Sequence, residues 1–286
     1  MLKIVTDGAT DMPMDWAEEF DIQVIPLRIR FGEETYIQGQ DVTNDTFYDL
    51  IKQKQQIPQT SLPSPFQIAE FYRGVAKPED TVISIHLSSL LSGTFSAVQL
   101  AVQEIGNELD IITFDSKAGS AAVGFMCREA RRMERAGHSV QQILNRLEVM
   151  KQKLVVIFTL DNLEYARLNG RVSALQSILS SMLKIKPIVV LKEGMLTIGD
   201  KVRTRQKALD KVLEIVRERV GKNQVLLAVV HAADLSTARV LMECAKQYLV
   251  VKEVIMTDLA IPVAANLGPG TVGLVAIPVE EGVTYA

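Results

Sequence analysis

The feature that most narrows the fold is an alternation of hydrophobic period along the first half of the chain. Apolar runs of strand length, LKIVTD, IQVIPLRIRFG, TVISIHL and LDIITFD, alternate with stretches patterned for helices. One such helix is predicted from about Phe66, one from about Gly93, and helical residues from about Gly119 to Met150. Strands that alternate with helices pack as βαβ units, which gives a largely parallel sheet with helices on its faces. Sheets of that kind carry their working loops at the carboxyl ends of the strands. TDGATD, LSSLLSGT and FDSKAGS each follow an apolar run, so all three are expected at one edge.

Beyond KLVVIFTL the pattern changes. IKPIVVLKEGMLTIGDKVRT predicts two strands around a Glu-Gly turn, and a helix follows over Arg205–Val220. VLLAVVH, a helix from Ser236, VVKEVIMTD and GTVGLVAIPV complete the half. The expectation is a two-domain α/β protein. Residues 1–157 form an N-terminal, largely parallel α/β/α sandwich, and residues 158–286 form a C-terminal α/β domain with a mixed or antiparallel sheet.

Composition removes several function classes. A net charge of −3 with dispersed lysines and arginines supplies no basic footprint for nucleic acid. The opening MLKIVTDGATD lacks the apolar core of a signal peptide, and the longest apolar runs are strand-sized, so the expected location is cytoplasmic, without membrane insertion. Cys127 and Cys244 have no metal-ligand or redox spacing and are expected to be structural thiols.

HLSSLLSGTFSA carries five hydroxyl residues, Ser88, Ser89, Ser92, Thr94 and Ser96, immediately after a strand. Ser92 is expected to cap a helix that Gly93 and Thr94 open, and a helix start presents unpaired N–H groups suited to an anionic head group. An alternative is a serine-dependent acyl hydrolase or transferase, with Ser88 or Ser92 as nucleophile and His86 as base, because residues two apart on a strand point the same way. A second hydroxyl cluster, Thr60, Ser61 and Ser64, lies in PQTSLPSPFQ, where three prolines stiffen the loop. Asp7 and Asp11 of TDGATD are expected to make turn or cap hydrogen bonds, and His231 to be structural, with Asp234 capping the helix after it. GPGTVG matches a dinucleotide-binding pattern, but a strand follows it where that pattern needs a helix, so it is expected to be a structural or ligand-facing turn.

TSLPSP, LSSLLSGTFSA, FDSKAGSAAVG, DNLEYARLNGRVSAL, LKIKPIVVLKEGML with KVRTRQKAL, and LGPGTVGL resemble, in order and spacing, the DegV family of bacterial fatty-acid-binding proteins. The resemblance covers essentially the whole chain. It implies two α/β domains holding one long-chain fatty acid, such as palmitate, in a tunnel between them, with no cofactor and no catalysis of its own. It implies that the carboxylate meets Thr60, Ser61, Ser92, Gly93 and Thr94. It also implies a possible partner, an ATP-binding kinase subunit that phosphorylates the carboxylate, with Arg171, Lys201 and Arg203 as docking residues. Two positions depart from the family. Asn266 in NLGPG stands where the family has histidine, exchanging a titratable ring for a neutral amide, and is expected to hydrogen-bond the carboxylate in its place. In LNGRV, Asn169 replaces the first glycine of a pair, and asparagine tolerates the left-handed backbone a glycine there would adopt. Apolar tunnel walls are expected from IPLRIRF, SAAVGFM and ALQSILSSML.

Overall fold

The computed structural model describes residues 1–161, 163–173 and 185–279. From the start of the chain, β1 (Leu2–Asp7) passes through α1 (Trp16–Glu19) to β2 (Ile22–Ile25). A side sheet then takes β3 (Arg28–Phe31), β4 (Glu34–Ile37) and, after α2 (Asn44–Lys54), β5 (Gln59–Ser61). Next come α3 (Pro65–Val75), β6 (Thr81–His86), α4 (Thr94–Ile105), β7 (Asp110–Asp115), α5 (Ala121–Arg135) and α6 (Val140–Lys153). The second half contains β8 (Val155–Thr159), α7 (Glu164–Asn169), β9 (Val172–Ser173), the hairpin of β10 (Lys186–Lys192) and β11 (Met195–Val202), and α8 (Arg205–Val220). It closes with β12 (Val225–His231), α9 (Leu235–Tyr248), β13 (Val251–Asp258), α10 (Ile261–Leu267) and β14 (Val272–Pro278).

The first sheet has order β2-β1-β6-β7 and is parallel throughout, as the βαβ pattern required. The second, β13-β12-β14-β8-β10-β11-β9, is mixed: β12–β13 and β9–β11 are parallel and the other pairs antiparallel. Strand alternation distributes the apolar residues between faces. In the first sheet Val5 and Val82 face α3 and α4, while Ile4, Ile83 and Ile85 face α5. In the second, Ile157 and Leu274 meet α8, while Val156, Phe158 and Val275 join the α5 side. The layers therefore run α3–α4, parallel sheet, α5–α6, mixed sheet, α8–α9, and one continuous core spans both domains through α5.

Three expectations change. IQVIPLRIRFG is two strands in two sheets: Pro26 has no N–H to extend the ladder with β1, and the chain leaves as β3 for the antiparallel sheet β4-β3-β5. The helical stretch from Gly119 to Met150 is two helices, parted at Gly137 (φ +83°) and restarted by Ser139, whose Oγ accepts from Gln142 N. The expected domain boundary at residue 157 falls inside β8, the first strand of the mixed sheet in the chain. We propose a division at Leu154, between α6 and β8, which keeps every strand of that sheet in one unit.

Candidate functional site

An apolar cavity lies between the two domains, with about 700 Å³ of empty space including its mouth. The three loops expected at the carboxyl edge of the parallel sheet all reach it. Ala9 follows β1, Leu87, Leu91 and Ser92 follow β6, and Gly119 and Ser120 follow β7. The side sheet adds Leu27, Thr60 and the adjacent Leu62, and the second domain adds Val156, Phe158, Leu191, Leu196 and the face of α10 bearing Pro262, Val263 and Asn266.

Of the expected head-group residues, the structure brings Thr60, Ser92 and Asn266 to this cavity and leaves three outside its lining. Thr60 and Ser61 are neighbours on β5, paired with Ile29 and Arg28, so their side chains leave opposite faces and Ser61 points away. Gly93, not Ser92, is the residue at the start of α4, with helical backbone and no capping side chain. Ser92 sits one residue earlier: its Oγ accepts from Thr94 N (3.2 Å) and bonds Thr94 Oγ1 (2.8 Å), which holds the hydroxyl at the cavity wall and buries Thr94 behind it. The helix-cap expectation is thus displaced by one residue.

His86 serves neither Ser88 nor Ser92. Its Nδ1 bonds Asp7 Oδ2 (2.9 Å) and its Nε2 bonds Ser84 Oγ (2.7 Å), and Ser84 in turn bonds Tyr72 Oη (2.6 Å). The two-apart geometry on β6 is real, but it points toward Ser84, on the buried α3–α4 face. Ser88 is turned to the neighbouring loop, donating N–H to Ala118 O (2.7 Å) and accepting Leu90 N at Oγ (3.2 Å). With both ring nitrogens so occupied, His86 supplies no base to either proposed nucleophile.

Asp7 and Asp11 hold turns rather than face one another. Asp7 accepts from Ala9 N (3.0 Å) and Leu87 N (3.1 Å). Asp11 accepts from Ala260 N (2.7 Å) at one oxygen and from Ser120 Oγ at the other. Burial, with the nearby charge of Asp258 adding, pushes the Asp11 carboxyl up to about 7 against the opposing pull of those two bonds. Among the described residues no cluster of three or more histidine, cysteine or acidic side chains is placed to hold a metal. Nor is any described helix long and apolar enough to cross a membrane.

Asn169 has a different role from the one expected of it. The left-handed residue is Gly170 (φ +68°), whereas Asn169 is the last helical residue of α7. Its buried Nδ2 donates to Pro58 O (3.3 Å), Tyr165 O (3.2 Å) and Ala265 O (3.0 Å), tying the segment before β5, α7 and α10 together beside the cavity. Removing that amide leaves buried carbonyls without a donor, at a cost of about 1–3 kcal/mol. Asn169→Ala should therefore lower the urea midpoint by an equivalent amount, and an unchanged midpoint would rule out this staple.

Arg171, expected to dock a partner, is exposed and lines the cavity, with a guanidinium N–H donated to Asn169 O. Lys201 and Arg203 are elsewhere. β9 pairs with β11 so that Val172 lies opposite Leu196, which puts Lys201 five residues and Arg203 seven residues further along. At about 3.3 Å per residue they are roughly 16–23 Å from the Arg171 end, so the three cations do not form one patch.

Of the expected walls, IPLRIRF contributes Leu27 and SAAVGFM contributes Ser120; Ala121–Met126 are core. ALQSILSSML lies outside the described residues. Ser120 was expected only as one residue of the SAAVGFM wall, and the wall built by Val156, Phe158, Leu191 and Leu196 was not anticipated. GPGTVG is a structural turn between α10 and β14: Gly268 (φ +87°) packs on the Tyr165 ring and Gly270 (φ +79°) on Asp161.

Comparison with known proteins agrees with this architecture. A family profile described as an uncharacterised protein of the DegV family matches residues 1–279. Protein DegV of Bacillus subtilis is 32% identical over 276 residues, covering 96% of this chain and 98% of that protein. A fatty acid-binding protein of Thermotoga maritima is 31% identical over 281 residues, covering 95% and 96% respectively. The solved structure of a DegV family protein from Thermus thermophilus, described as binding fatty acid, is similar with a TM-score of 0.89 at 28% identity, covering 97% of this chain and 99% of that one.

Proposed function

This chain belongs to the DegV family, and on that premise we propose that it binds one long-chain fatty acid in the cavity between its domains, with the carboxylate at Thr60, Ser92 and Asn266. The observation that carries the reading is the cavity wall itself, apolar side chains from both domains interrupted by those three polar groups and by Ser120 and Arg171. Each methylene withdrawn from water contributes about 0.8 kcal/mol, so a sixteen-carbon tail offers on the order of 10 kcal/mol before the costs of ordering it. The tail supplies affinity and the hydroxyls supply orientation.

The chain performs no chemistry in this reading. It shields the acyl chain in the cytoplasm and presents the carboxylate to a separate ATP-binding kinase subunit. Arg171, exposed yet part of the cavity lining, supports presentation at that side. Lys201 and Arg203 extend the docking surface only for a partner that reaches along β11.

The test is titration of delipidated protein with palmitate and oleate. A hydrogen bond to a charged group is worth about 1.5–3 kcal/mol. Replacing both hydroxyls, Thr60→Ala with Ser92→Ala, should therefore weaken binding by roughly a hundredfold or more while the tail preserves residual affinity. Unchanged affinity in the double variant would remove the carboxylate from this position.

A further inference from the structure

Ser120 lies in the cavity wall, 2% exposed, at φ +59° and ψ −150°, a backbone region that serine occupies only when its surroundings impose it. Its hydroxyl is held by Asp11, which takes the Ser120 O–H at one carboxyl oxygen and Ala260 N–H at the other. Ala260 begins α10, the helix that carries Val263 and Asn266 to the cavity. Asp11 is itself buried, so a single carboxyl braces two walls contributed by different domains.

The orientation of the Ser120 hydroxyl then matters to a ligand. While its hydrogen is committed to Asp11, Ser120 offers only lone pairs to the cavity. A carboxylate arriving beside Ser92 would meet those lone pairs with a second buried negative charge behind them. The Ser120 and Ser92 loops are knitted together, Ser88 N donating to Ala118 O (2.7 Å) and Gly119 backing onto the Leu91 side chain.

Resting on the head-group placement proposed above, we propose that Asp11, acting through Ser120, is a positioning residue that couples binding of a carboxylate ligand to uptake of one proton. Asp11 takes a proton from solvent on its Ser120-facing oxygen. It then donates that O–H to Ser120 Oγ, and Ser120 turns its own hydrogen to the ligand oxygen. One ligand anion and one proton enter, no covalent bond between heavy atoms changes, and the buried pair carries a single negative charge. Of the groups facing Asp11, the negative charge of Asp258 at the end of β13 favours this, against the hydrogen bonds from Ser120 and Ala260. His231 lies beside Asp258 at 3.2 Å, and Tyr48 of α2 brings a buried hydroxyl with no partner among the described residues. With its carboxyl raised to about 7, Asp11 is ionised above neutral pH and has this proton to take up there.

Calorimetric titration of the delipidated full chain with myristate, at pH 6 and pH 8.5 in buffers of differing ionisation enthalpy, tests the coupling. Proton uptake should rise from near zero at pH 6 to about one per ligand at pH 8.5, with Kd weakening up to tenfold per pH unit above about 7. Tetradecanol, which brings no charge, should bind without uptake. Asp11→Asn should bind myristate with no pH-linked uptake, and Ser120→Ala, which leaves Asp11 in place, should lose most of it. Saturable wild-type binding without proton uptake overturns the coupling, as does uptake that persists in Asp11→Asn, which would place the proton on the ligand. Absence of saturable myristate binding by the wild type at either pH would overturn the fatty-acid reading itself.

Discussion

Val263→Trp should abolish saturable binding of palmitate while leaving the fold intact. Val263 sits on α10, half-buried, where it lines the cavity and packs beside Ala9, Leu27 and Leu87. An indole there has empty space on one side, so it enters the volume an acyl chain needs instead of wedging apart a filled core. Overpacking a filled core typically costs about 1–3 kcal/mol, and a site that opens onto a void should cost less. The loss of binding, in contrast, is of the whole tail contribution, on the order of 10 kcal/mol gross for sixteen carbons. Circular dichroism with a fatty-acid titration separates the two effects. A folded Val263→Trp protein that still binds palmitate with native affinity would show that the ligand lies elsewhere.

The second large effect is on stability. Gly273 lies in β14, an interior strand of the mixed sheet, paired with Val230 on one side and Phe158 on the other. A Cβ at this position would stand 2.4 Å from Ile157 O and 2.5 Å from Phe158 Cδ1. The first obstacle is backbone in the neighbouring strand, and the second is a ring that forms part of the cavity wall. Neither can yield without shifting β8, so Gly273→Ala should cost about 3 kcal/mol, at the upper end for overpacking, and should weaken palmitate binding by pushing Phe158 inward. Gly74 provides the contrast: it is exposed in α3, with nothing within 4 Å of its Cβ position. Gly74→Ala should stabilise the protein by about 0.5–1 kcal/mol through helix propensity alone. Equal responses of the two variants in urea unfolding would refute the packing argument for Gly273.

These positions also show what a linear sequence exposes. The parallel sheet and its three edge loops were legible because TDGATD, LSSLLSGT and FDSKAGS each interrupt an apolar run where a strand must end. The mixed second sheet was legible from the Glu-Gly hairpin and the strand after GPGTVG. The hydroxyl clusters that hold Thr60 and Ser92 were visible beside glycine and proline, but clustering does not say which member lines the cavity. QTS is too short to show the alternation that turns Ser61 away, and one residue of displacement in the α4 start was enough to bury Thr94. The apolar wall was hidden for another reason. Val156 and Phe158 read as ordinary core, since a buried strand residue looks the same whether its neighbour is another side chain or empty space. The conformation of Ser120 was hidden because a positive φ leaves no trace in composition, and the role of Asn169 because its three acceptors come from segments about a hundred residues apart.

The central claim is that one acyl chain occupies the cavity between the domains. Native mass spectrometry of the protein as purified, followed by denaturation and analysis of the released small molecule, measures this directly. The predicted result is a mass increment of one long-chain fatty acid per chain that disappears in Val263→Trp. A wild-type protein carrying no acyl chain, and taking up none from excess palmitate after delipidation, would contradict it.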